Sequence, residues 1–467
     1  MGAGKSTVGA QVALLLDRPF VDVDREIERL EGPIPRIFEE SGEVRFRTLE
    51  EGWVESALRS PEPAVLALGG GALGSPATRA LLRELAFTVF VDVDVERAWE
   101  RARGSDRPLA QDERRFRELY AERRETYLAA ADAVAADADG VLLAAGGIVV
   151  ERGALGRLSE LVPGDGAIAL VADERVLDLH RPQLGARLAE THAVPSGEEA
   201  KTLAVCGRLW DELSLDRSGM LVALGGGTAT DVAGFVAATY LRGLRGWVPV
   251  PSTLVGQVDA AIGGKTAIDL DKGKNLVGAF NPPARVVIDP DLLATLPPAQ
   301  RLEGMAEVVK AGLLAGRELW RDDDDAMIRG SAAFKAAVCL SDPREGGRRA
   351  ILNLGHTFAH ALEAAGSYRG PSHGRAVALG LRAALALSER HYGIDPAIRE
   401  EVERVLPAEP AQVDPEAAWR AMRLDKKARD GRIRLVLLEE PGRPAFPVEL
   451  PDEEVRAALE TLVATTG

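Results

Sequence analysis

Residues 220–240 read MLVALGGGTATDVAGFVAATY. The stretch has the form strand, glycine turn, helix. Its strand part is apolar at every position, so it reads as buried on both faces, the habit of a parallel sheet. It is too short to span a membrane, and no other stretch reaches that length. Gly225, Gly226 and Gly227 can bring backbone amides to a dinucleotide pyrophosphate at the start of the helix. The spacing is not G-x-G-x-x-G, so tight packing without a ligand is the plainer alternative. Upstream, AIALVADERV ends a second strand at Asp173, placed to take ribose or nicotinamide-side contacts. Glu198 and Lys201 in SGEEAKT are pocket candidates that fit a surface equally well.

Downstream, VDAAIGGKTAIDLDKGKNLVGAFNPP sets Asp259, Lys265, Lys274 and Asn275 in a glycine-rich, mostly apolar stretch. Lysines in that setting suit a phosphate or carboxylate; a flexible charged excursion is the bland reading. MAEVVKAG puts Glu307 and Lys310 one turn apart on a helix face, and NLGHTFAHALE does the same for His356 and His360. His373 follows in PSHGRAV, so three of the six histidines fall within eighteen positions. Glu307, His356 and His373 would make a two-imidazole, one-carboxylate zinc set with an open coordination position. His360 is then left for an outer contact. The spacing is not H-E-x-x-H, which argues against a zincin protease. Lys335, Arg349, Asn353 and the pair Lys426–Lys427 add cationic and polar groups to the same region. His180, His192 and His391 have no comparable setting, and the run Asp322–Asp325 reads as a solvated turn or helix end.

The chain opens MGAGKSTVGAQVALLLDRPFVDVD. GAGKS is the second half of a phosphate-binding loop: its backbone amides, with Gly2, Gly4 and Thr7, suit ATP, Lys5 reaches the outer phosphates, and Ser6 holds magnesium. A chance GKS at a helix start is the alternative. The leading glycine of G-x-x-x-x-G-K-[ST] and its launching strand would stand before Met1. The natural chain is therefore expected to begin upstream of Met1, the rival being a kinase domain kept for structure. Without that central strand, both of its neighbours would have unpaired edges. FVDVD ends a predicted strand, and alternation puts Asp22 and Asp24 on one side, one near magnesium and one near a substrate hydroxyl. GEVRFRTLE supplies Arg47, LALGGG supplies Gly69, Gly70 and Gly71, RGSDRPLAQD supplies Arg107 on a loop, and AERRETY supplies Arg123.

With 467 residues the chain is long enough for several domains. A net charge of -15 disfavours general nucleic-acid binding. Two cysteines, Cys206 and Cys339, make no disulfide scaffold, and no leader of the secretory type is visible, so a reducing cytoplasm is expected. Strand-like and helical runs alternate over 1–140 and again over 149–300, with a short linker at 141–148; 301–467 is mainly helical.

On these motifs residues 1–140 resemble shikimate kinase. The likeness implies transfer of the ATP γ-phosphate to the shikimate 3-hydroxyl, with Lys5 and Ser6 at ATP–Mg2+ and Asp22 near the metal. Asp24, Arg47, Gly70, Gly71 and Arg123 would bind shikimate, and Arg107 would come from a closing lid. The family usually reads R-x-P-L-Y where this chain has RRETY, which bears on the packing behind Arg123. Residues from about 145 to 467 resemble 3-dehydroquinate synthase, on GGGTATDVAGFVAATY, QVDAAIGGKT, GKNLVGAFNPP, AEVVKAG and NLGHTFAHALE. That implies a Rossmann-like α/β subdomain, a mainly helical subdomain, NAD as a catalytic cofactor, and zinc or cobalt on Glu307, His356 and His373. Asp259, Lys265, Asn275, Lys310, Lys335, Arg349, Asn353, His360 and Lys427 would contact substrate. Asp173, Glu198, Lys201, Gly227 and Asp231 would line the NAD site, with Lys274 at the cofactor–substrate junction. Two departures stand out: Arg375 replaces the carboxylate of the usual HGE, and Thr230 replaces a glycine. The likeness implies conversion of 3-deoxy-D-arabino-heptulosonate 7-phosphate to 3-dehydroquinate, small-molecule substrates only, and a homodimer through the synthase region. The two activities belong to one pathway toward aromatic amino acids but are not consecutive. An NAD- and metal-dependent polyol dehydrogenase fused to another small-molecule kinase is the competing reading, and a nonenzymatic nucleotide-binding scaffold a more distant one.

Overall fold

The computed structural model describes residues 2–103, 112–271, 273–366, 370–428 and 432–464, with side chains at 425–428 left out. Two compact units meet at Gly146 and Gly147 in the sequence. In the first, strands β1 (Phe20–Asp22), β2 (Val65–Ala67), β3 (Val89–Val91) and β4 (Ala133–Ala135) alternate with seven described helices. These are α1 (Lys5–Leu16), α2 (Val23–Glu31), α3 (Ile34–Leu58), α4 (Pro76–Leu85), α5 (Val95–Ala102), α6 (Glu113–Ala130) and α7 (Ala138–Ala145). Among the described residues β1 pairs in parallel with β2, and β3 in parallel with β4. No described strand joins the two pairs. A cavity of about 530 Å³ lies between them, lined by Val8, Val12 and Leu16 of α1, by Leu66 and Leu68, and by Val89 and Val91.

Helix α7 occupies most of the stretch expected to be a linker. Asp137 accepts a hydrogen bond from Gly140 N at 2.8 Å and starts the helix, and Leu142 and Leu143 are buried. The small residues of AADADG hid this cap and its apolar face. The strand in FVDVD is also shorter than alternation suggested. It stops at Asp22, whose side chain caps α2, so Asp24 lies in the first turn of that helix.

The second unit begins with β5 (Ile148–Val150), α8 (Leu158–Leu161), β6 (Ile168–Asp173), α9 (Glu174–Leu179), β7 (Leu188–Val194), α10 (Leu203–Glu212), β8 (Met220–Gly225) and α11 (Gly227–Thr239). Strands β9 (Gly246–Pro251), β10 (Lys265–Leu270), β11 (Gly273–Phe280) and β12 (Val286–Ile288) follow. Four strands form a parallel sheet in the order β7-β6-β8-β9. Alternation divides β8 between two cores. Leu221 and Ala223 pack with Val232, Phe235 and Val236 of α11; Met220, Val222 and Leu224 pack with Leu158, Val162 and Leu184. Every residue of β6 and β8 is buried. A buried Val or Leu is worth roughly 1.5–3 kcal/mol. A one-residue slip would exchange the two faces, so the register is firmly set. The chain leaves the central pair β6 and β8 in opposite directions, so the switch point falls between their carboxyl ends at Asp173 and Gly225.

The rest is mainly helical: α12 (Pro298–Ala315), α13 (Asp324–Ser341), α14 (His356–Ala365), α15 (His373–Tyr392), α16 (Pro396–Val405), α17 (Pro415–Ala428) and α18 (Asp452–Glu460). The hairpin β13 (Leu435–Glu440) and β14 (Arg443–Val448) packs against α15. The aspartate run is a helix start, where Asp323 caps α13 and Asp325 pairs with Arg152. Helices α14 and α15 touch at two glycines: a Cβ on Gly380 would stand 2.0 Å from the carbonyl oxygen of Gly355, the residue before His356. Gly380→Ala is expected to overpack this contact by about 1–3 kcal/mol. The unfolding midpoint of the second unit should fall, and an unchanged midpoint would contradict the close approach.

Candidate active sites

The carboxyl ends of β6 and β8 open into a cavity of about 970 Å³ in the second unit, whose wall also includes Glu198, Lys201, Asp231, Asp259, Lys274, Asn275, His360 and His373. Asp173 accepts from the amides of Arg175 and Val176 and from the Ser196 hydroxyl at 2.7 Å. Lys201, almost fully buried, donates to Asp231 at 2.8 Å and to Asn275. Burial raises the Asp231 carboxyl to about 6 against the pull of that ammonium. Lys274 pairs with Glu198 at 3.3 Å. Thr230, where a glycine was expected, donates its hydroxyl back to Gly227 O at 2.9 Å within the helix.

Glu307, His356 and His373 stand on α12, α14 and α15, and one ligand atom from each lies within 4.8 Å of the others. His356 Nε2 is 3.5 Å and His373 Nε2 3.4 Å from Glu307 Oε1. Glu307 is 1 % exposed, and neither carboxylate oxygen has a well-formed hydrogen bond. Its second oxygen meets the ammonium of Lys310. Burial opposes the charge on Glu307, but Lys310 and His356 hold its carboxyl well below the usual range. Burial and Lys310 lower His356, keeping it a neutral imidazole. For His373 burial acts downward, yet the neighbouring carboxylates of Glu307 and Glu363 raise it to about 10. A buried carboxylate facing two imidazole nitrogens is a donor set that could hold a divalent transition metal ion.

Asp259 sits beside this cluster on a single π turn, Gly256–Ala260. It meets Lys310 at 3.3 Å and also Lys335. Burial disfavours its charge, but the two ammonium groups more than offset this and hold it ionised. Lys265 and Arg349 are engaged differently. Lys265 is half-exposed and pairs with Glu345 at 2.6 Å. Arg349 is buried and donates to the main-chain carbonyls of Gly263 and Pro343. Asn353 closes the turn before α14. Arg375 does not turn toward the metal cluster: its guanidinium donates to Glu409 O at 2.9 Å. His192 and His391 pair with nearby glutamates, and His180 bonds Thr295. Arg107 and the side chains of Lys426 and Lys427 lie outside the described residues.

In the first unit Lys5 begins α1, and Gly4 before it has φ 82°. The Ser6 hydroxyl donates to Asp22 at 2.6 Å, so the two expected magnesium groups do meet. Arg47 on α3 donates to Glu50 at 2.6 Å and to Glu43 at 3.0 Å. A Cβ on Gly71 would strike the Arg47 guanidinium, and one on Gly70 would lie 3.3 Å from Arg123. Tyr127, the last residue of RRETY, donates to Gly70 O at 2.6 Å and fixes the strand-end loop against α6. Sequence reading passed over one buried group at this place: Glu50, 2 % exposed, with Asp24 beside it across Gly69. Burial raises its pKa while Arg47 pulls it down. The i, i+3 spacing from Arg47 was the available signal.

Comparison with known proteins follows the same division. A family profile for shikimate kinase matches residues 1–153. Profiles for the N-terminal and C-terminal parts of 3-dehydroquinate synthase match 191–303 and 304–428. The 3-dehydroquinate synthase of Saccharopolyspora erythraea is 41 % identical over 345 residues, covering 68 % of this chain and 92 % of its own. That of Salinibacter ruber is 40 % identical over 325 residues, 63 % and 88 % of the two chains. Among solved structures, ValA, a 2-epi-5-epi-valiolone synthase from Streptomyces hygroscopicus with NAD+ and Zn2+ bound, superimposes with a TM-score of 0.60 at 27 % identity, covering 68 % of this chain and 96 % of its own.

Proposed function

We propose, from the premise that this chain belongs to the 3-dehydroquinate synthase family and carries a shikimate kinase domain ahead of it, the following division of labour among its residues. The second unit converts 3-deoxy-D-arabino-heptulosonate 7-phosphate to 3-dehydroquinate and phosphate; the first phosphorylates shikimate. One observation carries the synthase reading: three ligand atoms from three helices converge beside a cavity walled by the carboxyl ends of β6 and β8.

Glu307, His356 and His373 would hold Zn2+ or Co2+, and Asp173, Glu198, Lys201, Gly225, Gly226, Gly227 and Asp231 would hold NAD. When bound, these groups supply hydride exchange at substrate C5 and polarisation of the C5 oxygen. Asp259 keeps Lys310 and Lys335 aimed at the substrate. Being doubly paired it is a poor proton acceptor, which leaves the substrate's own phosphate to take the C6 proton as it departs from C7. Lys265, Lys274, Asn275, Arg349, Asn353, His360 and Lys427 complete the substrate site. The pairs Lys265–Glu345 and Lys274–Glu198 are partly exposed, and such pairs contribute only about 0–1 kcal/mol. A phosphate dianion can therefore displace their glutamates. In the kinase Lys5 and Ser6 face ATP–Mg2+ together with Gly2, Gly4, Thr7 and Asp22. Arg47 and Arg123 take the shikimate carboxylate beside Gly70 and Gly71. Asp24 orients the attacking hydroxyl, and Arg107 belongs to the lid.

No described helix is long and apolar enough to cross a membrane. A cytoplasmic homodimer is the further part of this reading. It is supported by two buried unpaired cysteines and by the exposed apolar side chains of Leu276 and Phe280, four apart on β11. The purified chain, given each substrate separately, should release phosphate from the heptulosonate phosphate with no net NADH. It should form ADP only when shikimate is present. NADH rising in step with turnover would favour the dehydrogenase reading instead.

A further inference from the structure

His373 is the ligand with least support from burial. Its side chain is 43 % exposed, against 10 % for His356 and 1 % for Glu307. An exposed imidazole at the start of a helix has rotamers to spare, and each lost alignment weakens a metal site. Two carboxylates outside the ligand set restrict it. Glu363, on the last turns of α14, stands 3.2 Å from His373 Nδ1. Glu303, on α12, accepts from the Ser372 hydroxyl and the Gly374 amide, the residues on either side of His373. The second helix comes in close at that point: a Cβ on Gly374 would stand 2.4 Å from Glu303 Cα. His356 is served in the same manner by a neutral acceptor, its Nδ1 lying 3.2 Å from Leu354 O. Both rings thus have Nδ1 engaged by an acceptor and Nε2 turned to Glu307.

We infer that Glu363 is a positioning residue for the metal centre: accepting from Nδ1–H of His373, it fixes the tautomer and ring angle that present Nε2 beside Glu307. Glu303 holds the backbone on which that ring stands. The inference rests on the metal-binding reading of Glu307, His356 and His373. Arg375, in place of the acidic residue usual two positions after His373, leaves Glu363 and Glu303 as the carboxylates that bond around this ligand among the described residues.

The test uses full-length protein stripped of metal and titrated with Co2+ and Zn2+ against a competing chelator. Co2+ absorption is recorded in parallel. Glu363→Ala should weaken metal affinity roughly 10- to 100-fold, the range typical for losing such a partner, and should alter the Co2+ bands. Glu363→Gln keeps an acceptor oxygen of the same shape and should fall between wild type and alanine. His373→Ala is the reference. If it loses metal while Glu363→Ala binds with wild-type affinity and spectrum, the positioning role is wrong. Gln binding as weakly as Ala refutes ring orientation through the accepted bond. If His373→Ala binds metal as tightly as wild type, the metal-site reading beneath is at fault. Should the alanine variant fail to fold, the near-isosteric glutamine decides: unchanged affinity and bands in it overturn the inference.

Discussion

His356→Ala is expected to strip the divalent ion and slow phosphate release from 3-deoxy-D-arabino-heptulosonate 7-phosphate by about a thousandfold. The magnitude follows from what the ion supplies. Charge stabilisation by a bound metal is worth several kcal/mol in the transition state, and about 4 kcal/mol is a factor of about 10³. His356 is the better choice because of its neighbours. Removing Lys310 would leave the buried Glu307 without its main counter-charge, a change that costs about 3–5 kcal/mol of stability. Removing His356 leaves the Lys310–Glu307 pair in place, so the fold should survive. Metal content by elemental analysis and the rate of phosphate release are the two readouts. A variant retaining both at wild-type level would refute the three-ligand centre. Shikimate-dependent ADP formation should be unaffected in the same preparation.

The reciprocal variant, Lys5→Met, should cut ADP formation with shikimate by about 10²–10³-fold and leave the synthase rate alone. Lys5 begins α1 behind the turn at Gly4, where a cation reaches phosphates already drawn to a helix N-terminus. One preorganised donor to the developing charge is worth about 2.7–4 kcal/mol. Methionine keeps the length and loses the charge, so packing in the apolar cavity that Lys5 helps to line changes little. Undiminished ADP formation in Lys5→Met would mean that the loop is not the nucleotide site. A parallel fall in the synthase rate would contradict two separate sites.

Much of this was legible in the sequence because the chemistry sits in local words. MAEVVKAG and NLGHTFAHALE each carry their residues on one helix, so spacing alone placed Glu307 beside Lys310 and His356 near His360. The parallel sheet was legible because β8 is apolar at successive positions, which only two-sided burial rewards. What stayed hidden needed distance or small geometric events. Asp24 was assigned to a strand because alternation continues through it, whereas a cap at Asp22 ends the strand two residues earlier. The helix at Ala138–Ala145 was hidden by its small residues. Glu363 was quoted inside a motif and given no role, since its partner His373 belongs to another helix. The course of Arg375 was equally hidden: its length lets it reach the carbonyl of Glu409, far along the chain.

The large cavity draws its wall from Asp173 at one extreme and Met422 at the other. A growing polypeptide cannot close that space until the segment bearing Met422 has left the ribosome. Until then the completed sheet carries an unfinished basin whose far wall is still to be made, so the order of synthesis sets the order in which the two walls of the cavity can meet.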